Sequence, residues 1–273
     1  MSTQDIGPRD SVLIHGLWNT PRTWEGWTQR FRGRGYAVHV PSWPGLDGEP
    51  ADLRRDPSRV PDVSVEQILD HYEGVIRGLD RPPIIIGHSF GGAFTQVLLD
   101  RGLGAAAVVL GSGPTKGILR LPLTTIRSLW GILKNPRNRN RAVPFTEGQF
   151  RYAFGNTLSE EESRRAWERY AVPGVGRVVF EGALANLSSS SPFKVDYAKT
   201  DRAPLLFIAE GDDHVVPAVL NRLNVAKYKK ANPDAVVEYK EYPARSHFTP
   251  VEPGWEAVAD YALEWAISHA RLA

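Results

Sequence analysis

Pro82-Pro83-Ile84-Ile85-Ile86-Gly87-His88-Ser89-Phe90-Gly91-Gly92 reads as a buried strand, a tight turn and the start of a helix. Ile84 to Ile86 are three consecutive β-branched apolar residues, the pattern of a parallel strand covered on both faces. Gly87 to Gly91 fits G-x-S-x-G, which sets one side chain at the tip of a sharp strand-to-helix turn with strained backbone. The flanking glycines remove Cβ atoms that would collide across that turn. Ala93 to Leu99 then has helical spacing, and Gly102 suits the helix end. Ser89 is therefore expected above a sheet edge at a helix N-terminus, where developing negative charge is favoured.

Working outward, the same alternation recurs on both sides. Upstream, Ser11 to Ile14 is a short strand ending in His15-Gly16-Leu17-Trp18. Thr20-Pro21 opens a helix with Trp24, Trp27 and Phe31 on one face, and Tyr36 to Val40 is the next strand. Residues 46–62, rich in Pro, Asp and Arg, read as an exposed loop. Ser64 to Gln67 has capping-box spacing before an amphipathic helix carrying Ile68, Leu69, Tyr72, Ile76 and Leu79. Downstream, Ala105 to Leu110 is a strand. Pro204 to Ala209 is another, ending in Glu210-Gly211-Asp212-Asp213-His214. Val236 to Tyr239 is the last strand, Arg245 to Phe248 the loop after it, and Trp255 to Leu272 the closing helix. Strands alternating with helices predict an α/β protein with a mostly parallel sheet.

The rhythm breaks between 116 and 200, which reads as helical throughout, with capping boxes at Thr146–Gln149 and Ser159–Glu162 and no strand. From Lys116 to Thr146 there are seven Lys or Arg and no acid, and 134–141 reads as a basic, solvated turn. The expected organisation is a core at 1–115, a helical cap at 116–200 and the rest of the core at 201–273.

At 273 residues the chain suits one large α/β domain carrying an insertion. A formal net charge of +2 points to no polyanionic partner, and the basic turn lacks the interleaved aromatics of a nucleic-acid site. The absence of cysteine excludes disulfides, thiolate metal sites and a Cys nucleophile. Met1 to Asp5 lacks a signal-peptide pattern, and no apolar run is long enough to cross a bilayer. These features lead to the expectation of a soluble cytoplasmic protein without membrane insertion, with the oligomeric state left open.

A serine hydroxyl needs a base, and the base an orienting group. Of seven histidines, His15 and His88 lie inside turns that they shape, His39 and His71 within a strand and a helix, and His269 near the end. That leaves His214 and His247 after late strands. His247 is the better base, because its loop follows the last strand and is free to bend over the sheet edge. Glu210, Asp212 and Asp213 all end the preceding strand, and position leaves the three open. Phe90 N–H, just after the nucleophile, and Leu17 N–H, after the first strand, are the expected oxyanion donors.

With His15-Gly16-Leu17-Trp18, Gly87 to Gly92, Asp213-His214-Val215-Val216-Pro217 and Ser246-His247 in this order, the chain resembles the α/β-hydrolase superfamily. Its small cap-bearing esterases, lipase-like enzymes and cofactor-free haloperoxidase relatives are the most similar. The resemblance covers 9–115 and 203–270. It implies Asp213 as the triad acid, an ester-cleaving serine hydrolase with no metal or organic cofactor, and about six strands, since the short N-terminus leaves no room for two more. A lyase, cyclase or perhydrolase would use the same triad, and a catalytically silent ligand-binding protein would lack a member of it. An apolar pocket for a small hydrophobic substrate is expected, with Trp18, Trp43 and Trp130 against the ligand.

Overall fold

The computed structural model describes residues 7–271. Met1 to Asp5, read for a leader, and Leu272, read as the end of the closing helix, lie outside them. In chain order come β1 (Asp10–Ile14), α1 (Glu25–Gly33), β2 (Ala37–His39), α2 (Pro50–Arg55), α3 (Val65–Arg77), β3 (Ile84–His88), α4 (Phe90–Asp100) and β4 (Ala106–Leu110). An inserted segment carries α5 (Leu123–Leu133), β5 (Ala142–Val143), α6 (Glu147–Ala153), α7 (Glu160–Tyr170), β6 (Gly174–Val175) and α8 (Gly176–Ala183). Then β7 (Leu205–Glu210), α9 (Ala218–Ala231), β8 (Val237–Tyr242) and α10 (Trp255–His269) complete the order.

Six strands form one sheet in the order β2-β1-β3-β4-β7-β8, each pair of neighbours parallel. Successive side chains of a strand point to opposite faces, and both faces here are dry. Leu13, Ile84, Ile86, Val108 and Ile208 pack with Trp27 and Phe31 of α1 and with Val258 and Leu263 of α10. Val12, Ile14, Ile85, Val109 and Phe207 face the other way, with Phe94 and Leu98 of α4 and Tyr228 of α9. This two-sided burial is why Ile84 to Ile86 read as an unbroken apolar run. Parallel strands bring the loops after β1, β3, β4 and β7 to one edge of the sheet, where the site lies.

Two expectations change. Residues 46–62 are not simply an exposed loop: Pro50 starts α2, and Leu53 is fully buried. Arg54 reaches across to donate to the carbonyls of Trp167 and Ala171 at 3.2 and 2.5 Å, neutralising the C-terminal end of α7. The inserted segment also holds strands, since β5 and β6 pair antiparallel through Ala142–Val175 and Val143–Gly174. Two residues per strand are too few to show a period. The three predicted capping boxes, at Ser64, Thr146 and Ser159, are all formed. Phe150, Phe154 and Val178 of the inserted segment belong to the same apolar cluster as Val109 and Phe207 of the sheet. Among the described residues no helix is long and apolar enough to cross a membrane.

Candidate active site

Ser89 sits between β3 and α4 with φ 58° and ψ −122°, a conformation that costs a non-glycine residue about 1–3 kcal/mol. The surroundings hold it there. Ser89 N–H donates to Leu110 O of β4, and Ser89 O accepts from the amides of Gly92, Ala93 and Gly113. The turn is so tight that a Cβ on Gly91 would meet the carbonyl oxygens of Ile14 and His15, and one on Gly16 would lie 2.7 Å from Ser89 Cβ. Only glycine permits the β1 loop to lie against Ser89.

Ser89 Oγ is 2.8 Å from His247 Nε2, and His247 Nδ1 is 2.6 Å from Asp213 Oδ2. A carboxylate only accepts, so Nδ1 carries the proton and Nε2 offers its lone pair to the Ser89 hydroxyl. Asp213 Oδ1 takes the amides of Val215 and Val216, both at 2.7 Å, which pins the carboxylate. His88 Nε2–H donates to His247 O at 2.8 Å and so fixes the backbone there. Burial holds His88 neutral, well below the usual histidine range. Burial likewise pushes His15 down to about 4; it stacks on Trp43 with centroids 5.2 Å apart. The other candidate base, His214, bonds Tyr152 O instead, and Asp212 is exposed.

The amide of Leu17 lies in the β1 loop and that of Phe90 opens α4 directly after Ser89, and no described backbone group engages either one. Of the three tryptophans expected against a ligand, Trp18 stacks on Phe145 at 4.2 Å and meets the edge of Phe154, which in turn lies edge-on to His247 at 4.9 Å. Trp43 is buried between His15 and Phe94. Trp130 is 61% exposed and makes no described ring contact, so the structure leaves it in solvent. Ser89 itself is 3% exposed. The two described clefts, about 470 and 200 Å³, are lined elsewhere, around Phe180 and Leu184 and around Tyr170 and Phe248. Among the described residues no cluster of His, Asp or Glu is placed to hold a metal ion.

Two acids take places that the sequence did not assign them. Glu252 accepts from Ser246 N–H at 3.2 Å and holds the loop that carries His247. Glu210 is fully buried with no partner for either oxygen. Its Oε2, Asp213 Oδ2 and His247 Nδ1 all lie within 3.2 Å of the point where Gly111 lacks a Cβ. Burial first, then the Asp213 charge, pushes Glu210 well above the usual carboxylate range. No sequence signal separates it from the loop acids beside it.

The model of the alpha/beta hydrolase family matches residues 12–261. No curated protein matches the chain. Similar solved structures include an extracellular alpha/beta-hydrolase from a Paenibacillus species, with TM-score 0.63 and 19% identity over 97% of this chain and 100% of that one. The monoacylglycerol lipase of Paleococcus ferrophilus gives TM-score 0.65 and 17% identity over 97% and 96%. A pyrethroid hydrolase from Sphingobium faniae gives 0.57 and 20% over 93% and 96%. At these identities the likeness is one of fold.

Proposed function

The chain belongs to the alpha/beta hydrolase family, and on that premise we propose that it is a serine hydrolase cleaving a hydrophobic carboxylic ester or lactone. The observation that carries the reading is the continuous hydrogen-bonded run from Asp213 through His247 to Ser89, with Ser89 at a strained backbone elbow between β3 and α4. In this reading Ser89 Oγ attacks the acyl carbon and its proton passes to His247 Nε2. Asp213 orients the imidazole and stabilises the imidazolium. The oxyanion is held by the amides of Leu17 and Phe90. The bond to the leaving oxygen breaks as Nε2 returns the proton to it, leaving an acyl-Ser89. Water then attacks, gives its proton to Nε2, and the acid departs as Ser89 recovers its hydrogen. Residues 116–200 act as the cap. The apolar preference is supported by Trp18, Phe145 and Phe154 above the base and by Phe90 beside the nucleophile.

The test is a serine-directed fluorophosphonate read by intact mass. One adduct is expected on the wild type and none on Ser89→Ala. Equal labelling of the two would remove Ser89 as nucleophile. Labelling of Ser89 without turnover of any p-nitrophenyl ester would instead favour lyase or cyclase chemistry.

A further inference from the structure

The large apolar side chains that this molecule leaves in solvent are concentrated on one patch of the inserted segment. Leu119, Leu121 and Leu123 are 81%, 67% and 82% exposed, on alternate positions of the stretch leading into α5. Leu187, 83% exposed, is held beside them, because Asn186 donates to Ile118 O at 2.9 Å and accepts from Gly117 N–H. Trp130 continues the patch along α5. Residues four, seven and eleven positions after Leu123 share its helical face, and these are Arg127, Trp130 and Lys134, all exposed. The opposite face is anchored: Ile132 is buried, Thr125 Oγ donates to Val215 O at 2.9 Å, and Ser128 Oγ donates to His214 O at 3.2 Å. The outward face is thus a fixed platform of leucines, tryptophan and cations. Single exposed leucines are ordinary; a contiguous group of this kind marks an interaction surface.

The charge on the same segment selects the partner. Seven Lys or Arg fall between Lys116 and Thr146 with no acid among them, and none is in a described ion pair. Since the whole chain carries only +2, the rest of the molecule is net negative, and the field is polarised towards this end. We propose that this face docks on an anionic lipid surface, with α5 lying along the interface and the three leucines and Trp130 reaching into the headgroup boundary. A mixed face of leucine, tryptophan and Lys/Arg is what such an interface stabilises. Five of the seven cations are arginines, which protein contacts also use; what favours lipid is an excess of one sign of charge beside leucines that stand almost wholly in solvent. Nucleic acid would leave the leucines without a role. α5 has 11 residues, so it lies on a bilayer and does not span it. The inference does not use the proposed chemistry at Ser89.

The experiment is cosedimentation of the full chain with phosphatidylcholine vesicles, with and without phosphatidylglycerol. Binding is expected only to the anionic vesicles and should weaken with salt. The triple variant L119S/L121S/L123S should lower the partition constant at least about tenfold. Arg120→Gln and Lys134→Gln should each lower it about fivefold. Ile267→Ser, an exposed apolar residue on α10, should leave it unchanged. The fluorescence blue shift on binding should vanish in Trp130→Phe, which reports insertion without touching charge or fold. Equal binding to both vesicle types, or anionic binding that survives both the triple variant and Trp130→Phe, would overturn the proposal. So would a concentration-dependent dimer in solution that the triple variant abolishes, because a second copy would then cover the patch.

Discussion

Asp212 and Asp213 are chain neighbours in opposite surroundings. Asp213 is 3% exposed and bonded to His247 and two amides; Asp212 is exposed and touches its surroundings through its backbone. Asp213→Asn should therefore lower kcat about 10³–10⁴-fold through loss of the imidazole tautomer. Asp212→Asn should change it severalfold at most, and the reverse ranking in steady-state kinetics would move the triad acid. Glu210 allows a different test. Folded, it keeps its proton far above its ordinary value of 4.5; the unfolded chain releases that proton near 4.5. Above that value the unfolded state binds fewer protons than the folded one, so stability falls as pH rises. Glu210→Gln keeps the shape and removes this proton. Its stability relative to wild type should be flat in acid and grow with pH by up to about 1.4 kcal/mol per unit. His15 and His88 act on the other limb. They stay neutral below their ordinary 6.5 while the unfolded chain takes up protons, so both forms should lose stability together as pH falls below that value. Melting curves across pH check both signs, and parallel alkaline limbs would mean that Glu210 is ionised in the fold.

At the scale of elements, the β1 loop joins core to inserted segment through one strained residue. Trp18 holds φ 63°, its Nε1–H donates to Val143 O of β5 at 2.8 Å, and its carbonyl accepts from Val172 N–H at 3.0 Å. Trp18→Phe keeps a ring against Phe145 but removes the side-chain bond to the Val143 carbonyl, at about 0.5–1.5 kcal/mol. Hydrogen exchange should then quicken at β5 and β6 while β3 stays protected; unchanged protection at β5 would mean the bond is idle. This joint also shows where sequence reading stops. The elbow was legible because Ile84 to Ile86 need two dry faces and the turn needs its glycines, both local requirements. The order of Ser89, Asp213 and His247 was legible because each follows a strand. α2 was not, since a single buried residue, Leu53, makes no period. The β5–β6 pair, the Phe154 edge on His247 and the isolation of Glu210 exist only after distant segments meet. Trp130 illustrates the converse: an aromatic in a cap reads as pocket lining, yet packing turned it outward.

Across the whole molecule, Ser89 is 3% exposed and His247 is fully buried with Phe154 edge-on to it, so the proposed function makes movement of this aromatic roof an expected step. Phe154 is the roof's contact with His247, fully buried and stacked on Phe150 at 5.3 Å. Phe154→Ala should cost about 3–5 kcal/mol of stability, because so well packed a site collapses poorly. The same cavity should admit longer acyl chains. Wild-type kcat/KM is expected to rise from p-nitrophenyl acetate to butyrate or hexanoate, roughly fourfold per buried methylene, and to fall at dodecanoate, where the roof blocks the chain. In Phe154→Ala the fall should move to longer esters, raising the dodecanoate-to-butyrate ratio about tenfold or more. An unchanged ratio would place the acyl boundary elsewhere. Opening also has a kinetic mark. If roof movement limits access, labelling of Ser89 by a small and a bulky phosphonate should saturate at one common ceiling rate as each probe concentration is raised. Phe154→Ala should lift that ceiling for both probes. Linear, probe-specific rates with no ceiling would mean that the roof moves faster than the chemistry, and that acyl selectivity is set by the shape of the opened pocket alone.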